Sequence, residues 1–68
     1  MKGLSYSSLR AGKKYWLVNY GDRYEFEILE VLSPQDFKLK DVNTLELYLM
    51  SELTRYGMGD DFEIRDLG

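Results

Sequence analysis

A small all-β fold with a sharply bent sheet is what this 68-residue chain predicts, and three observations carry the expectation. Tyr24-Glu25-Phe26-Glu27-Ile28 and Phe37-Lys38-Leu39-Lys40-Asp41 both alternate apolar and charged residues, the period of a half-buried strand. Their outer charges are opposite in sign, so Glu25 and Glu27 are expected to face Lys38 and Lys40 and to fix the pairing of the two segments. The phase of alternation also changes at Ile28-Leu29-Glu30. Tyr24, Phe26 and Ile28 share one parity, whereas Leu29 and Val31 take the other with Glu30 outward, and a strand whose buried face switches partway must bend or bulge.

The remaining elements follow in chain order. Residues 1–12, rich in Ser and Gly, read as an irregular lead-in with Leu9 as its core contact. Lys14 to Tyr20 is aromatic and β-branched on both parities, which suits a first strand that is central or covered on both sides. Tyr20-Gly21-Asp22-Arg23 supplies the Gly and Asp of a tight hairpin turn. The bent second strand runs from Tyr24 to Leu32. It ends at Ser33-Pro34-Gln35-Asp36, because proline cannot donate to a strand ladder and restricts its predecessor. Phe37 to Asp41 forms the third strand.

Residues 43–57 allow two readings. As a helix over 44–56, Asn43 is the N-cap, Leu45, Tyr48, Leu49, Leu53 and Tyr56 share a face, and Gly57 follows the end. That reading gives an α+β fold with an antiparallel sheet. As a strand, Leu45, Leu47 and Leu49 point inward and Glu46, Tyr48 and Met50 outward, after which Ser51 caps one helical turn from Glu52 to Tyr56. The strand is favoured, since the third strand needs a neighbour and a tight hairpin supplies it at the lowest loop-closure cost. Phe62 to Asp66 alternates again as a fifth strand, so one domain with five strands and one short helical turn is expected.

Composition narrows the function. The chain has no cysteine and no histidine, which removes disulfides, thiolate metal sites and the commonest general base. No metal, cofactor or catalytic residue is expected, and the chain is read as a non-enzyme. Gly57-Met58-Gly59-Asp60-Asp61 lacks the ligand spacing of a calcium loop and the Lys and Ser/Thr of a phosphate cradle, so it reads as a solvated turn. No apolar run has the length of a signal peptide or membrane span, which leads to an expectation of a cytoplasmic protein without membrane contact. Net charge is −3, distributed as +2 over residues 1–40 and −5 over 41–68. The acidic half would repel phosphate backbones, so a nucleic-acid role requires Lys13, Lys14, Lys38 and Lys40 to form one patch and is disfavoured.

The order of elements resembles the Src-homology-3-like small barrel, and within that group the Tudor-type domains. The similar stretches are Ala11-Gly12-Lys13-Lys14-Tyr15 entering the first strand, Asn19-Tyr20-Gly21-Asp22-Arg23-Tyr24 at the first hairpin, Phe37-Lys38-Leu39-Lys40-Asp41, and Leu49-Met50-Ser51-Glu52-Leu53 after the fourth strand. The resemblance implies a closed five-stranded barrel over residues 9–66, with aromatic rings at Tyr20 and Tyr24 and a carboxylate at Asp22 able to hold a cation. Where that family often has an Asp-aromatic-Gly run, this chain has Asp41-Val42-Asn43, and a complete aromatic cage is not expected.

Six tyrosines, three phenylalanines and one tryptophan are many for this length, and exposed rings offer contact area at low entropic cost. Trp16, Tyr20, Asp22 and Tyr24 are therefore candidate ligand residues, the alternative for the rings being simple core packing. Tyr48 and Tyr56 are a second aromatic pair that either binds or covers the open end of the barrel. The functional expectation is a protein- or peptide-binding module. Its alternatives are the lysine patch and a structural accessory or weak homodimer pairing through an exposed edge.

Overall fold

The computed structural model describes residues 2–68. Strand β1 is Lys2–Gly3, followed by a 3-10 turn at Tyr6–Ser8. Strands β2 (Lys14–Asn19), β3 (Asp22–Ser33), β4 (Asp36–Asp41) and β5 (Leu47–Leu49) form an antiparallel meander. A single helical turn, α1 (Met50–Leu53), leads to the last strand, β6 (Glu63–Asp66), which pairs antiparallel with β2. The sheet order is β1-β6-β2-β3-β4-β5.

Five antiparallel strands, a bent long strand and one helical turn before the last strand are the architecture the sequence predicts. The sheet is nevertheless open. Its edge strands β1 and β5 do not pair with each other, so the barrel implied by the family resemblance is not closed among the described residues. Residues 2–8 are also more ordered than an irregular lead-in: β1 pairs parallel with β6, and the Leu4 N–H donates to the Ile64 carbonyl at 2.7 Å. Met1 lies outside the described residues.

One face of the sheet holds the core. Tyr15 and Leu17 of β2, Phe26 and Ile28 of β3, Phe37 and Leu39 of β4 and Ile64 of β6 are buried there, with Leu9, Met50 and Phe62 closing over them. Tyr6 meets Phe37 edge to face at 5.4 Å, a favoured geometry for two rings. The buried Tyr15 hydroxyl accepts the Arg10 N–H at 3.0 Å, so this large residue carries no unmet polar group. Strand β2 lies centrally between β6 and β3, as its two-sided apolar pattern predicts.

The phase change in β3 appears as a register shift between Ile28 and Glu30, where Leu29 has no partner on β4. The bulge alters two expectations. It sets Glu27 opposite Lys40 and Glu30 opposite Lys38, so Glu25 does not face a lysine; it pairs instead with Arg23 at 3.1 Å. It also carries the end of β3 past β2, whose register stops at Glu27, and leaves Leu29, Val31 and Leu32 38%, 49% and 46% exposed rather than buried. The bulge absorbs the parity switch, since Val31 lies opposite Phe37 on the same face as Ile28 opposite Leu39, but this end of β3 runs beyond β2 and stays half exposed.

The fourth strand is inverted relative to expectation, and the helix alternative over 44–56 is not formed. The Asp41 N–H donates to the Glu46 carbonyl at 2.8 Å and the Leu45 N–H to the Asp41 carbonyl at 2.9 Å, closing a four-residue hairpin loop over residues 42–45. Lys40 therefore pairs with Leu47 and Leu39 with Tyr48. Cross-strand partners share a face. Leu47 must point outward with Lys40, and Tyr48 turns inward onto the core with Leu39. Met50 is fully buried and opens α1, so Ser51 is not its N-cap. Ser51 instead donates its N–H and hydroxyl to the two Asp36 carboxylate oxygens at 3.0 and 3.2 Å, tying the helical turn to the start of β4.

Candidate functional site

The site begins with a two-residue turn. Tyr20 and Gly21 both have positive φ, 50° and 80°, as the primed turns of tight hairpins require. Glycine adopts this conformation freely, whereas a bulky residue there is uncommon and is held by its surroundings. Those surroundings come from the distant loop after α1. The Tyr20 N–H donates to Asp61 Oδ1 at 2.9 Å and the Gly21 N–H to Asp61 Oδ2 at 2.7 Å, so one carboxylate binds both backbone donors of the turn. The Tyr20 hydroxyl donates to the Tyr56 carbonyl at 3.0 Å.

Asn19 anchors the same hairpin from inside. It is buried, its Nδ2 donates to the Leu53 and Gly57 carbonyls, each at 3.1 Å, and its Oδ1 accepts the Gly59 N–H at 2.8 Å. Leu53 closes α1 and Gly57 and Gly59 lie in the following loop, so one side chain satisfies three backbone groups that have turned away from the sheet ladder. Gly59 also makes room for the ring above it: a Cβ at this position would stand 2.9 Å from Tyr20 Cδ1.

Between the hairpin and the helical turn lies an open cleft of ≈ 610 Å³. Asn19, Tyr20, Asp22 and Tyr24 line one side, and Glu52, Leu53, Arg55 and Tyr56 the other. Tyr20 is 57% and Tyr56 82% exposed, so two aromatic side chains at the cleft are open to solvent. The Arg55 guanidinium lies 6.0 Å from the Tyr56 ring centre. Asp22, Glu52 and Arg55 take part in no ion pair among the described residues, which leaves two carboxylates and one guanidinium facing water. The Tyr24 hydroxyl is pushed above its ordinary pKa, first by burial and then by the Asp22 charge. The cleft thus combines ring faces with an excess of negative charge, an arrangement that attracts cations.

Four of the six sequence candidates, Tyr20, Asp22, Tyr24 and Tyr56, come together here. Trp16 and Tyr48 do not line the cleft. Trp16 is half-buried on the outer face of β2, with the Arg23 guanidinium 4.5 Å over its ring. Tyr48 packs against the core with its hydroxyl buried and without a hydrogen-bond partner among the described residues.

The four lysines form no single patch. Lys14 and Lys40 lie in a cross-strand row with Glu27 between them, Lys38 pairs with Glu30, and Lys13 lies 3.9 Å from Asp66. Lys13 and Lys14 border a separate, smaller cleft of ≈ 360 Å³. Lys13, Lys14, Lys38 and Lys40 thus each stand beside an acidic residue.

Sequence reasoning does not single out Glu52, Leu53, Arg55, Asn19 or Asp61. Asn19 does leave a signal, as a polar residue at the buried parity of Tyr15 and Leu17. Asp61 leaves none, since its partners are forty residues away in the chain. No helix among the described residues is long and apolar enough to cross a membrane. No family model, curated protein or solved structure matches the chain.

Proposed function

We propose that this protein is a small non-catalytic binding module that takes a basic peptide into the cleft between the β2–β3 hairpin and α1. The observation that supports this most is the convergence of Tyr20, Asp22, Tyr24 and Tyr56 on one open cleft with Glu52. Rings with two solvent-facing carboxylates favour a cationic side chain, and Arg55 offers a donor for a peptide carbonyl or carboxylate. Titration of the labelled protein with decalysine and decaglutamate, followed by amide chemical shifts, tests the reading. Shifts confined to residues 19–24 and 52–56 with decalysine alone are expected. Scattered shifts, or none, would sink it.

A second reading is favoured by the overhang of β3. Leu29, Val31 and Leu32 are exposed on a segment that β2 does not cover, and such an edge invites pairing with a second copy. Sedimentation over a concentration series decides: a weak dimer abolished by Val31→Lys supports self-association, and a monomer throughout dismisses it.

A further inference from the structure

Resting on the reading of the cleft as a peptide site, we infer that Asp61, which does not line the cleft, is the positioning residue that sets its shape by latching Tyr20 in place. The turn N–H groups of Tyr20 and Gly21 converge on one carboxylate at 2.9 and 2.7 Å. Consecutive backbone donors in left-handed conformation form a concave anion site, and here the anion is supplied by the chain itself. Tyr20 bears an uncommon positive φ of 50°, so without this partner its backbone would relax and carry the ring with it. The far end of the ring is anchored separately, where its hydroxyl donates to the Tyr56 carbonyl at 3.0 Å and its edge rests where Gly59 has no side chain, so the carboxylate fixes the backbone end of a ring that spans the cleft. The latch therefore joins the two walls of the cleft, Tyr20 on the hairpin and Tyr56 after α1. Its opening or closing changes the width available to a ligand without changing any residue that touches the ligand.

Asp61→Asn separates this role from simple stabilisation. The carboxamide oxygen still accepts one turn N–H, but its NH₂ group faces the other donor and half of the latch is lost. Three readouts are followed: exchange of the Tyr20 and Gly21 amides, the ring-current shift that the Tyr20 ring imposes on the Gly59 Hα, and the affinity for decalysine. In the folded variant we expect both amides to exchange at least about tenfold faster. The Gly59 Hα should move toward its random-coil shift, and decalysine should bind at least about fivefold more weakly. Unchanged amides and an unchanged Gly59 signal overturn the latch. A released ring with unchanged decalysine affinity overturns its control of the cleft.

Should Asp61→Asn fail to fold, Asp61→Glu tests the same point, because it keeps the charge but moves the carboxylate one methylene away from the turn N–H groups. The Tyr20 and Gly21 amides should exchange faster and decalysine should bind more weakly; unchanged amides overturn the latch, and unaltered affinity with exposed amides overturns its control of the cleft. If the wild-type protein shows no decalysine shifts at the cleft, the peptide reading fails by itself, and the amide and ring-current signals still decide whether Asp61 holds Tyr20.

Discussion

Asn19 is the residue on which most of the site geometry converges. Replacing it with alanine leaves two carbonyls and one N–H without partners in a buried setting, and removing one side of a buried hydrogen-bond set costs more than the bonds contribute. Asn19→Ala should therefore lower stability by about 2–3 kcal/mol in urea unfolding and loosen the cleft. A loss under about 0.5 kcal/mol would mean that water replaces the side chain. Tyr48 presents the opposite case, a buried hydroxyl with no partner among the described residues. Burial, reinforced by the charges of Asp41, Tyr24 and Glu46, raises its pKa from 10.0 to about 12. A raised folded pKa means that the neutral form is favoured in the native state, so the contribution is whole below pH 10 and fades as pH rises toward 12. Tyr48→Phe keeps the ring and removes the hydroxyl. It should match or exceed wild-type stability by up to about 1 kcal/mol at neutral pH. It should also lose less stability than wild type between pH 10 and 12, which unfolding curves at both ends of that window would show.

At the scale of elements, two of the three hairpins, β2–β3 and β4–β5, contain a non-glycine residue with positive φ, and each is explained differently. Tyr20 is held by Asp61 and serves the cleft, whereas Leu45, with φ 65° and 64% exposed, makes no such contact. Its conformation follows from loop length: four residues must join Asp41 to Glu46, and the last must be left-handed to re-enter the ladder. Leu45→Gly should accordingly stabilise the fold by about 0.5–1 kcal/mol, the relief of left-handed strain less the entropy of glycine. Thermal unfolding measures it, and a lower midpoint would show that the exposed leucine packs in a way its exposure conceals. The β4–β5 hairpin also explains why the inward and outward sets of β5 were not legible. Leucine spacing at 45, 47 and 49 suggested one face, but register is set by the loop, and a shift of one residue inverts every side chain.

For the molecule as a whole, charge and topology act together. The acidic C-terminal part contributes Glu52 to the cleft, whereas the lysines are dispersed among glutamates on the outer face. Decalysine binding should then be electrostatic in part and weaken by about threefold or more as NaCl rises from about 50 to about 300 mM. Salt-independent binding would assign the interaction to the rings alone.

The sequence by itself determined the β-class, the four-strand meander, the bend at Leu29, the short helical turn and the aromatic hairpin, because alternation, turn chemistry and proline act over a few residues. Only the tertiary structure decided that the sheet stays open, that Leu29, Val31 and Leu32 remain uncovered, that Tyr48 turns inward while Leu47 turns out, and that Asp61 latches Tyr20. The inversion of β5 follows from a loop register that residue spacing alone does not carry; the other features depend on which distant segments meet, and neighbouring residues in a chain carry no record of a partner forty positions away.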